Sequence, residues 1–321
     1  MVEAAATSGA ETEASTGSQT SGGSSDQRTM GALLCLFAAV AWGTTGTAAT
    51  FAPGVGPLAI GAAAMGIGGL LQALTAWRHI MSHRAILRAQ ATAWAIGAVA
   101  VAIYPLAFYA SMHFAGVTVG TVVSIGSAPL VSALIENRMD RRSLSLHWAV
   151  GAALGLAGIL LLSLTEGDET LAANVPLGAA LGLLAGGTYA GYSWTAQRIM
   201  RRGVPPRAAM GATFGAGGLL LLPVLLVTGA GFLESAGNMA VGLYMAIVPM
   251  FLGYLAFGGG LARVEASTAT TLTLFEPAVA AVLAATVVGE SLPPAAWFGV
   301  GLILLCLVWT TLPAPRRPLL R

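Results

Sequence analysis

Apolar segments of nearly constant length follow one another along most of this chain, and short polar stretches separate them. Each segment is close to the roughly 20 residues that an α-helix needs to cross a bilayer. They cover residues 30–50, 57–77, 91–111, 116–135, 146–165, 175–196, 208–228, 240–260, 267–288 and 294–312. The pattern predicts an all-α polytopic membrane protein with ten transmembrane helices.

The two ends of the chain lie outside these segments. Residues 1–29 contain mainly Ala, Ser, Thr, Gly and acidic residues and form no apolar face, which is typical of a disordered segment. They also lack the basic start and apolar core of a secretory signal. We therefore predict a disordered tail over residues 1–29 and a short second tail over 313–321.

The basic residues indicate how the helices are oriented in the membrane. All fifteen are arginines, and with ten helices each of them falls in a tail or loop on the same side. The loops on the other side hold Glu166, Asp168, Glu169, Glu234 and Glu290 and no arginine. Because positively charged loops remain cytoplasmic, this predicts a protein of the cell (inner) membrane with both termini in the cytoplasm.

The two halves of the chain repeat each other. Pro129 and Pro277 lie 277 − 129 = 148 residues apart, in the fourth predicted helix of each half. The halves are residues 30–165 and 175–312, and each holds five predicted helices. Because five is odd, the second half enters the membrane from the opposite side, which predicts a 5+5 inverted repeat. Such repeats build secondary transporters with a substrate site near the midplane.

The ninth predicted helix carries an acidic residue near its middle. Glu276 is followed directly by Pro277, and Thr273 lies about one turn before it. A carboxylate at this depth is costly and is a functional-site hypothesis by default. Pro277 has no N–H, so the carbonyl of Thr273 loses its helical partner and the helix is expected to bend.

Three roles for Glu276 remain open from the sequence. The first is a group that titrates and couples transport to protons. The second is a carboxylate that binds an ammonium-bearing substrate in a wet cavity. The third is a protonated hydrogen-bonding group with a structural role. No Lys or Arg falls deep within a predicted span to pair with it. Residue types alone do not choose among the three.

The fourth predicted helix mirrors the ninth. Thr121 and Ser124 lie roughly on one face, and Pro129 frees the carbonyl of Ile125. Two bent helices that face each other are expected to line a polar cavity, whereas a packing role for both prolines is the alternative. The residue that corresponds to Glu276 is Ala128, so the repeat differs at the charged position.

Aromatic side chains are expected to form walls of that cavity. The candidates are Trp42, Tyr104, Tyr189 and Tyr254, and Trp42 corresponds to Tyr189 at an offset of 147. Aromatic walls suit amphipathic ligands and hold cations over their ring faces. The alternative for each residue is packing or anchoring at the membrane interface.

Three motifs carry a family resemblance. They are AAVAWGTTG at residues 38–46, SAPLVSALIE at 127–136 and LFEPAVAAVLAATVVGESL at 274–292. Over about residues 30 to 312 the chain resembles the EamA-type exporters of the drug/metabolite transporter superfamily. The resemblance implies export of a small metabolite, such as an amino acid or a related amphipathic compound, by alternating access.

Other function classes find little support. The chain has no HExxH, P-loop or GxGxxG motif, and its two cysteines, Cys35 and Cys306, do not make a zinc site. We therefore expect no enzymatic activity, no cofactor and no metal. The arginines form no basic face for nucleic acid. The expected partners are a small-molecule substrate, the lipid bilayer and, in the coupled case, protons.

Three alternatives to export remain. One is an uptake permease of the same fold. The others are a membrane-embedded enzyme, which should cluster acids, histidines or cysteines at membrane depth, and a sensor, which should carry a folded soluble output domain.

The distribution of arginines makes a testable prediction of topology. A reporter fused after Arg202 should read cytoplasmic, and one inserted near Asp168 should read external, because arginine-rich loops stay inside. Paired phosphatase and fluorescent-protein fusions measure both sides. The same side for both positions would contradict the ten-helix count and the inversion.

Overall fold

The structure, a computed structural model, describes residues 16–141, 143–164, 174–289 and 291–312. Throughout these ranges the regular elements are helices. The α-helices are α1 (Thr16–Thr50), α2 (Pro57–Ser82), α3 (Arg84–Ala89), α4 (Ala91–Met139), α5 (Leu146–Ser163), α6 (Val175–Met200), α7 (Pro206–Thr228), α8 (Ala236–Met245), α9 (Tyr254–Leu261), α10 (Ala266–Leu272), α11 (Glu276–Leu283) and α12 (Pro294–Thr311). Short 3-10 helices cover Gly229–Leu233 and Thr273–Phe275, and π-helical segments cover Ala246–Gly253 and Ala284–Val288.

The described helices confirm a multi-pass membrane protein. Eight stretches of the described chain are long and apolar enough to cross a bilayer. They are Asp26–Thr50, Pro57–Ser82, Ala91–Gly116, Val119–Met139, Pro206–Leu233, Ala236–Leu261, Ala266–Val288 and Pro294–Thr311. Two further helices, α5 and α6, lie at the remaining predicted spans; α5 has a shorter apolar stretch, and α6 carries several polar residues.

Two predicted boundaries differ from the structure. Helix α1 begins at Thr16, so residues 16–29 of the predicted tail are helical, whereas residues 1–15 and the tail at 313–321 lie outside the described residues. The predicted loop between residues 111 and 116 is instead a reversal at one residue, Gly116, with φ 84° and ψ 158°. A positive φ of this size favours glycine, which has no Cβ to clash with the backbone.

Contacts between helix ends place Arg201 and Arg263 at the same end of the bundle. Arg263 donates to Gln27 at 2.9 Å, and Arg201 reaches both Asp140 and Glu265, so the start of α1, the ends of α4 and α6, and the turn before α10 meet there. We call this the arginine end. At the other end, Ser111 donates to the Gly178 carbonyl at 2.7 Å.

The contacts between helices are nearly symmetric with respect to the two halves of the chain. The most extensive contacts join α4 with α6, α2 with α7, and α5 with α12, and α1 packs on α9 and α11. Small residues permit the close crossings: a Cβ on Gly299 would lie 2.8 Å from the Gly158 carbonyl, and one on Gly218 would lie 2.6 Å from the Gly66 carbonyl. Packing through glycine is a common way for membrane helices to approach closely.

Candidate functional site

A cavity of about 450 Å³ lies at the end of the bundle opposite the arginine end. Its wall combines the last turns of α1, the start of α2, both sides of the Gly116 reversal, the end of α5 and the π-helical segment after α11. Its rim is exposed at Gly46, Thr50, Pro57 and Val288. We call this cavity the outer cavity. Its volume is in the range of small-molecule binding sites.

Glu276 lies at the inner limit of the outer cavity and also lines a smaller cavity of about 40 Å³ deeper in the bundle. It is the first residue of α11, directly after the 3-10 turn Thr273–Phe275. That turn lies where the missing N–H of Pro277 removes a helical hydrogen bond, as the sequence predicts. The bend thus places a carboxylate where two cavities meet.

The carboxylate of Glu276 makes no hydrogen bond or ion pair with the described part of the chain. The two ion pairs found among the described residues both involve Arg201, far along the bundle at the arginine end. Among the residues that the structure describes, no other carboxyl group and no basic side chain lines either cavity. An acidic group without a protein partner, beside water-sized space, is available to a proton or a ligand.

Aromatic side chains surround the smaller cavity, which we call the inner cavity. Trp42, Tyr104, Tyr109, Tyr189 and Tyr254 all line it. The ring centroids of Trp42 and Tyr254 are 4.6 Å apart, those of Tyr104 and Tyr189 are 5.6 Å apart, and those of Trp42 and Tyr189 are 6.3 Å apart. These separations are typical of favourable aromatic pairs. The repeat-related pair Trp42 and Tyr189 therefore meets at the site.

Hydrogen bonds hold several of these rings in place. The indole N–H of Trp42 donates to the Pro249 carbonyl at 2.9 Å, inside a π-helical segment. The Tyr189 hydroxyl and Thr273 Oγ1 are 2.7 Å apart, and the Tyr192 and Tyr254 hydroxyls are 2.9 Å apart. Because their polar atoms are already bonded, these residues present mainly ring surface to the inner cavity.

The remaining residues predicted for the site divide into two groups. Thr121 and Pro277 line the outer cavity, and the buried Thr273 supports Tyr189 from behind. Ser124 and Pro129 line neither cavity. The backbone at Ser124 packs closely on α6 instead, since a Cβ on Gly186 would lie 2.6 Å from the Ser124 carbonyl. Helix α4 also continues through Pro129 without interruption.

A polar cluster closes the arginine end of the bundle. We define the inner cluster as Asp140, Gln197, Arg201 and Glu265. Arg201 donates to Asp140 Oδ2 at 3.0 Å, to Glu265 Oε2 at 2.6 Å and to Gln197 Oε1 at 2.7 Å. Gln197 Nε2 donates to the carbonyls of Leu261 and Val264 at 2.8 and 2.6 Å. The cluster ties the ends of α4 and α6 to the turn between α9 and α10.

Glu136 adds a second tie at this end. Its carboxylate accepts from the backbone N–H of Ser267 at 3.1 Å and from its hydroxyl at 2.5 Å. It therefore caps the start of α10 from another helix, a position where a negative charge is favourable. Glu136 and the inner cluster are not apparent from the sequence, because their positions at helix ends resemble ordinary loop charges.

Residues 29–164 match the profile of the EamA-like transporter family, and residues 177–312 match it again. The chain belongs to the EamA-like transporter family. The starts of the two EamA matches lie 177 − 29 = 148 residues apart, which equals the offset from Pro129 to Pro277. The family predicted from the motifs is thereby confirmed.

Individual relatives agree with this EamA assignment. The uncharacterized transporter YwfM of Bacillus subtilis (strain 168) is 33% identical over 289 residues, which are 89% of this chain and 94% of YwfM. The threonine/homoserine exporter RhtA of Salmonella typhimurium (strain SL1344) is 31% identical over 202 residues, 63% of each chain. The alignment thus spans less than two thirds of RhtA. These relatives are transporters rather than enzymes, in agreement with the sequence prediction.

A solved crystal structure shares the same fold. It superposes with a TM-score of 0.72 at 18% identity and covers 88% of this chain and 96% of that protein.

Within the described residues, no group of three His, Cys, Asp or Glu side chains is placed to hold a metal ion.

The two prolines of the EamA repeats should differ in their importance. Pro277→Ala restores an N–H that can donate to the Thr273 carbonyl in the α-helical pattern, in place of the Glu276 N–H that donates to it now. The turn that carries Glu276 should then straighten, so we expect transport to fall by about an order of magnitude. Pro129→Ala alters a helix that is already continuous and should have a smaller effect. Uptake into proteoliposomes, with size-exclusion profiles as the folding control, measures both. Equal activity of the two variants and the wild type would contradict the role assigned to the turn.

Proposed function

We propose that this protein is a ten-helix secondary transporter of the cell (inner) membrane that exports a small metabolite by alternating access. In this proposal α5 and α6 cross the membrane together with the eight apolar stretches. Residues 30–165 and 175–312 form inverted five-helix repeats, and both termini are cytoplasmic. The substrate is an amino acid or a related amphipathic compound.

The observation that carries the proposal is a cavity with exposed rim residues at one end of the bundle, while at the other end the inner cluster holds the helix ends together. A transporter of this kind exposes its site to one side at a time. Exposed rim residues and a polar closure at opposite ends are what such a state requires. With the arginine end in the cytoplasm, the cavity opens outward.

The internal repeat relates the closed end to the open end. At an offset of 147, Trp194 and Gln197 correspond to Thr47 and Thr50, and at 148, Asp140 corresponds to Val288. Trp194 Nε1 donates to Asp140 Oδ2 at 3.2 Å at the closed end. The counterparts Thr47, Thr50 and Val288 all line the outer cavity. If the two repeats exchanged conformations, the residues of the open end would come together, and their counterparts at the closed end would separate.

Among the described residues, ion pairs are present at only one of these two ends. Arg201 corresponds to Gly54, and neither Gly54 nor Val288 supports an ion pair. In this proposal the polar contacts of the inner cluster favour the state that is closed at the arginine end.

The direction of transport is supported by RhtA, whose name states export of threonine and homoserine. Coupling to protons is supported by the position of Glu276, which lines both cavities without a protein partner. A carboxyl group that alternately binds and releases a proton needs access to water and freedom from fixed hydrogen bonds.

Glu276→Gln tests the coupling. Gln keeps the size of the side chain but cannot titrate. A pH gradient should therefore no longer drive accumulation of the substrate, and the transport rate should lose its dependence on pH. Proteoliposomes of known orientation, loaded with a metabolite mixture and assayed with and without a pH gradient, measure this. Glu234→Gln, an exposed acid at the open end, is the matched control and should behave as wild type. Wild-type accumulation by Glu276→Gln would refute coupling through this residue, and net inward flux would favour an uptake permease.

Arg201→Gln tests the closure. A network of partly exposed ion pairs worth roughly 1 kcal/mol changes a two-state equilibrium about fivefold, so the arginine end should open more often. Thiol labelling of Cys introduced at the buried Thr270, in a background without Cys35 and Cys306, should then be about fivefold faster. Arg202→Gln is the control, because this exposed neighbour makes no side-chain hydrogen bond or ion pair with other described residues. Equal labelling in both variants would count against the inner cluster as a closure.

A further inference from the structure

The described walls of the two cavities carry charge of only one sign. Along them Glu276 is the single acidic residue, and no Arg, Lys or His is present. A ligand that contacts these walls therefore meets one carboxylate and no cation. An ammonium group is matched to this environment, whereas a carboxylate is not.

The aromatic rings strengthen the preference for a cation. Trp42, Tyr104, Tyr189 and Tyr254 line the inner cavity together with Glu276, and ring faces attract cations, most strongly where water is excluded. The inner cavity, at about 40 Å³, has room for a few water-sized groups. This volume suits the head group of an alkylammonium ion beside Glu276.

Several neutral donors of this site are already bonded to carbonyls, and the uncharged hydroxyls of Tyr104, Tyr109 and Thr121 are further donors along the described walls. The indole N–H of Trp42 is bound to the Pro249 carbonyl, and the hydroxyls of Thr45 and Thr50 donate to carbonyls of their own helix at 2.7 and 2.8 Å. The wall of the outer cavity near Glu276 is formed mainly by apolar groups such as Ile60, Phe108 and Ile125. A carboxylate held there would be desolvated without a cationic partner, which is strongly unfavourable.

We propose that the substrate is a protonated amine with an apolar body and no free carboxylate. The ammonium group lies against Glu276 and the aromatic rings of the inner cavity, and the apolar body extends into the outer cavity. The assignment rests on the proposed function insofar as these cavities are the transport site. It narrows that function, because zwitterionic amino acids are disfavoured by the same geometry.

A matched set of probes isolates the contribution of each charged group. The amine 3-methylbutylamine is leucine without its carboxylate, and 4-methylpentanoate is the corresponding acid without an ammonium group. Titration calorimetry on the full chain in lipid nanodiscs, at a pH where the amine is protonated, compares their affinities. We expect the amine to bind at least roughly tenfold more tightly than leucine, and the acid to give no heat.

Variants connect that preference to the site. Glu276→Gln should reduce the affinity for the amine to about that for leucine, whereas Glu234→Gln should leave it unchanged. Leucine that binds as tightly as the amine, or a preference for the amine that persists in Glu276→Gln, would overturn the assignment. Normal size-exclusion profiles and unfolding temperatures establish that each variant is folded.

Transport is measured separately, so the two proposals fail in different ways. Amine binding without transport in proteoliposomes would support the assignment of the ligand and refute alternating access. Leucine transport without detectable amine binding would support a transporter and overturn the amine assignment.

Discussion

A lipid bilayer supplies no hydrogen bonds to a polypeptide backbone, so irregular backbone within a membrane must be bonded inside the protein or line a cavity. In this protein the irregular segments are concentrated around the candidate site. The π-helical segment at Ala246–Gly253 provides the Pro249 carbonyl that holds Trp42, and the 3-10 turn at Thr273–Phe275 precedes Glu276. The π-helical segment at Ala284–Val288 contributes to the wall of the outer cavity.

The same constraint separates two kinds of polar residue. Glu136 satisfies its carboxylate against the start of α10, and the inner cluster satisfies its charges internally, so these groups join helices. Glu276 has no such partner among the described residues and lies beside open space. A partnered acid stabilises one arrangement of helices, whereas an unpartnered one remains able to interact with a ligand or a proton.

Glycine explains how so many helices pack around these sites. Close crossings such as Gly158 with Gly299 bring backbones together where any Cβ would clash with the neighbouring carbonyl. The reversal at Gly116 uses a different property, a positive φ that brings the last turn of one span against the first turn of the next. The hydropathy pattern predicts a loop of several residues there, because it does not reveal the conformation of a single glycine.

The order of the apolar segments, the doubled motif and the isolated acid before a proline were all readable from the sequence, because hydropathy, chain length and proline chemistry are local properties. They were sufficient to predict the family and the helical class and to mark Glu276 as a candidate functional residue. Tertiary structure decided which helix faces meet. It placed Trp42 beside Tyr189 and Tyr189 beside Thr273, packed the backbone at Ser124 against α6, and brought Arg201 together with Asp140 and Glu265. These are contacts between residues far apart in the chain, and they depend on how each helix rotates about its axis, which sequence periodicity leaves undetermined when nearly every face is apolar.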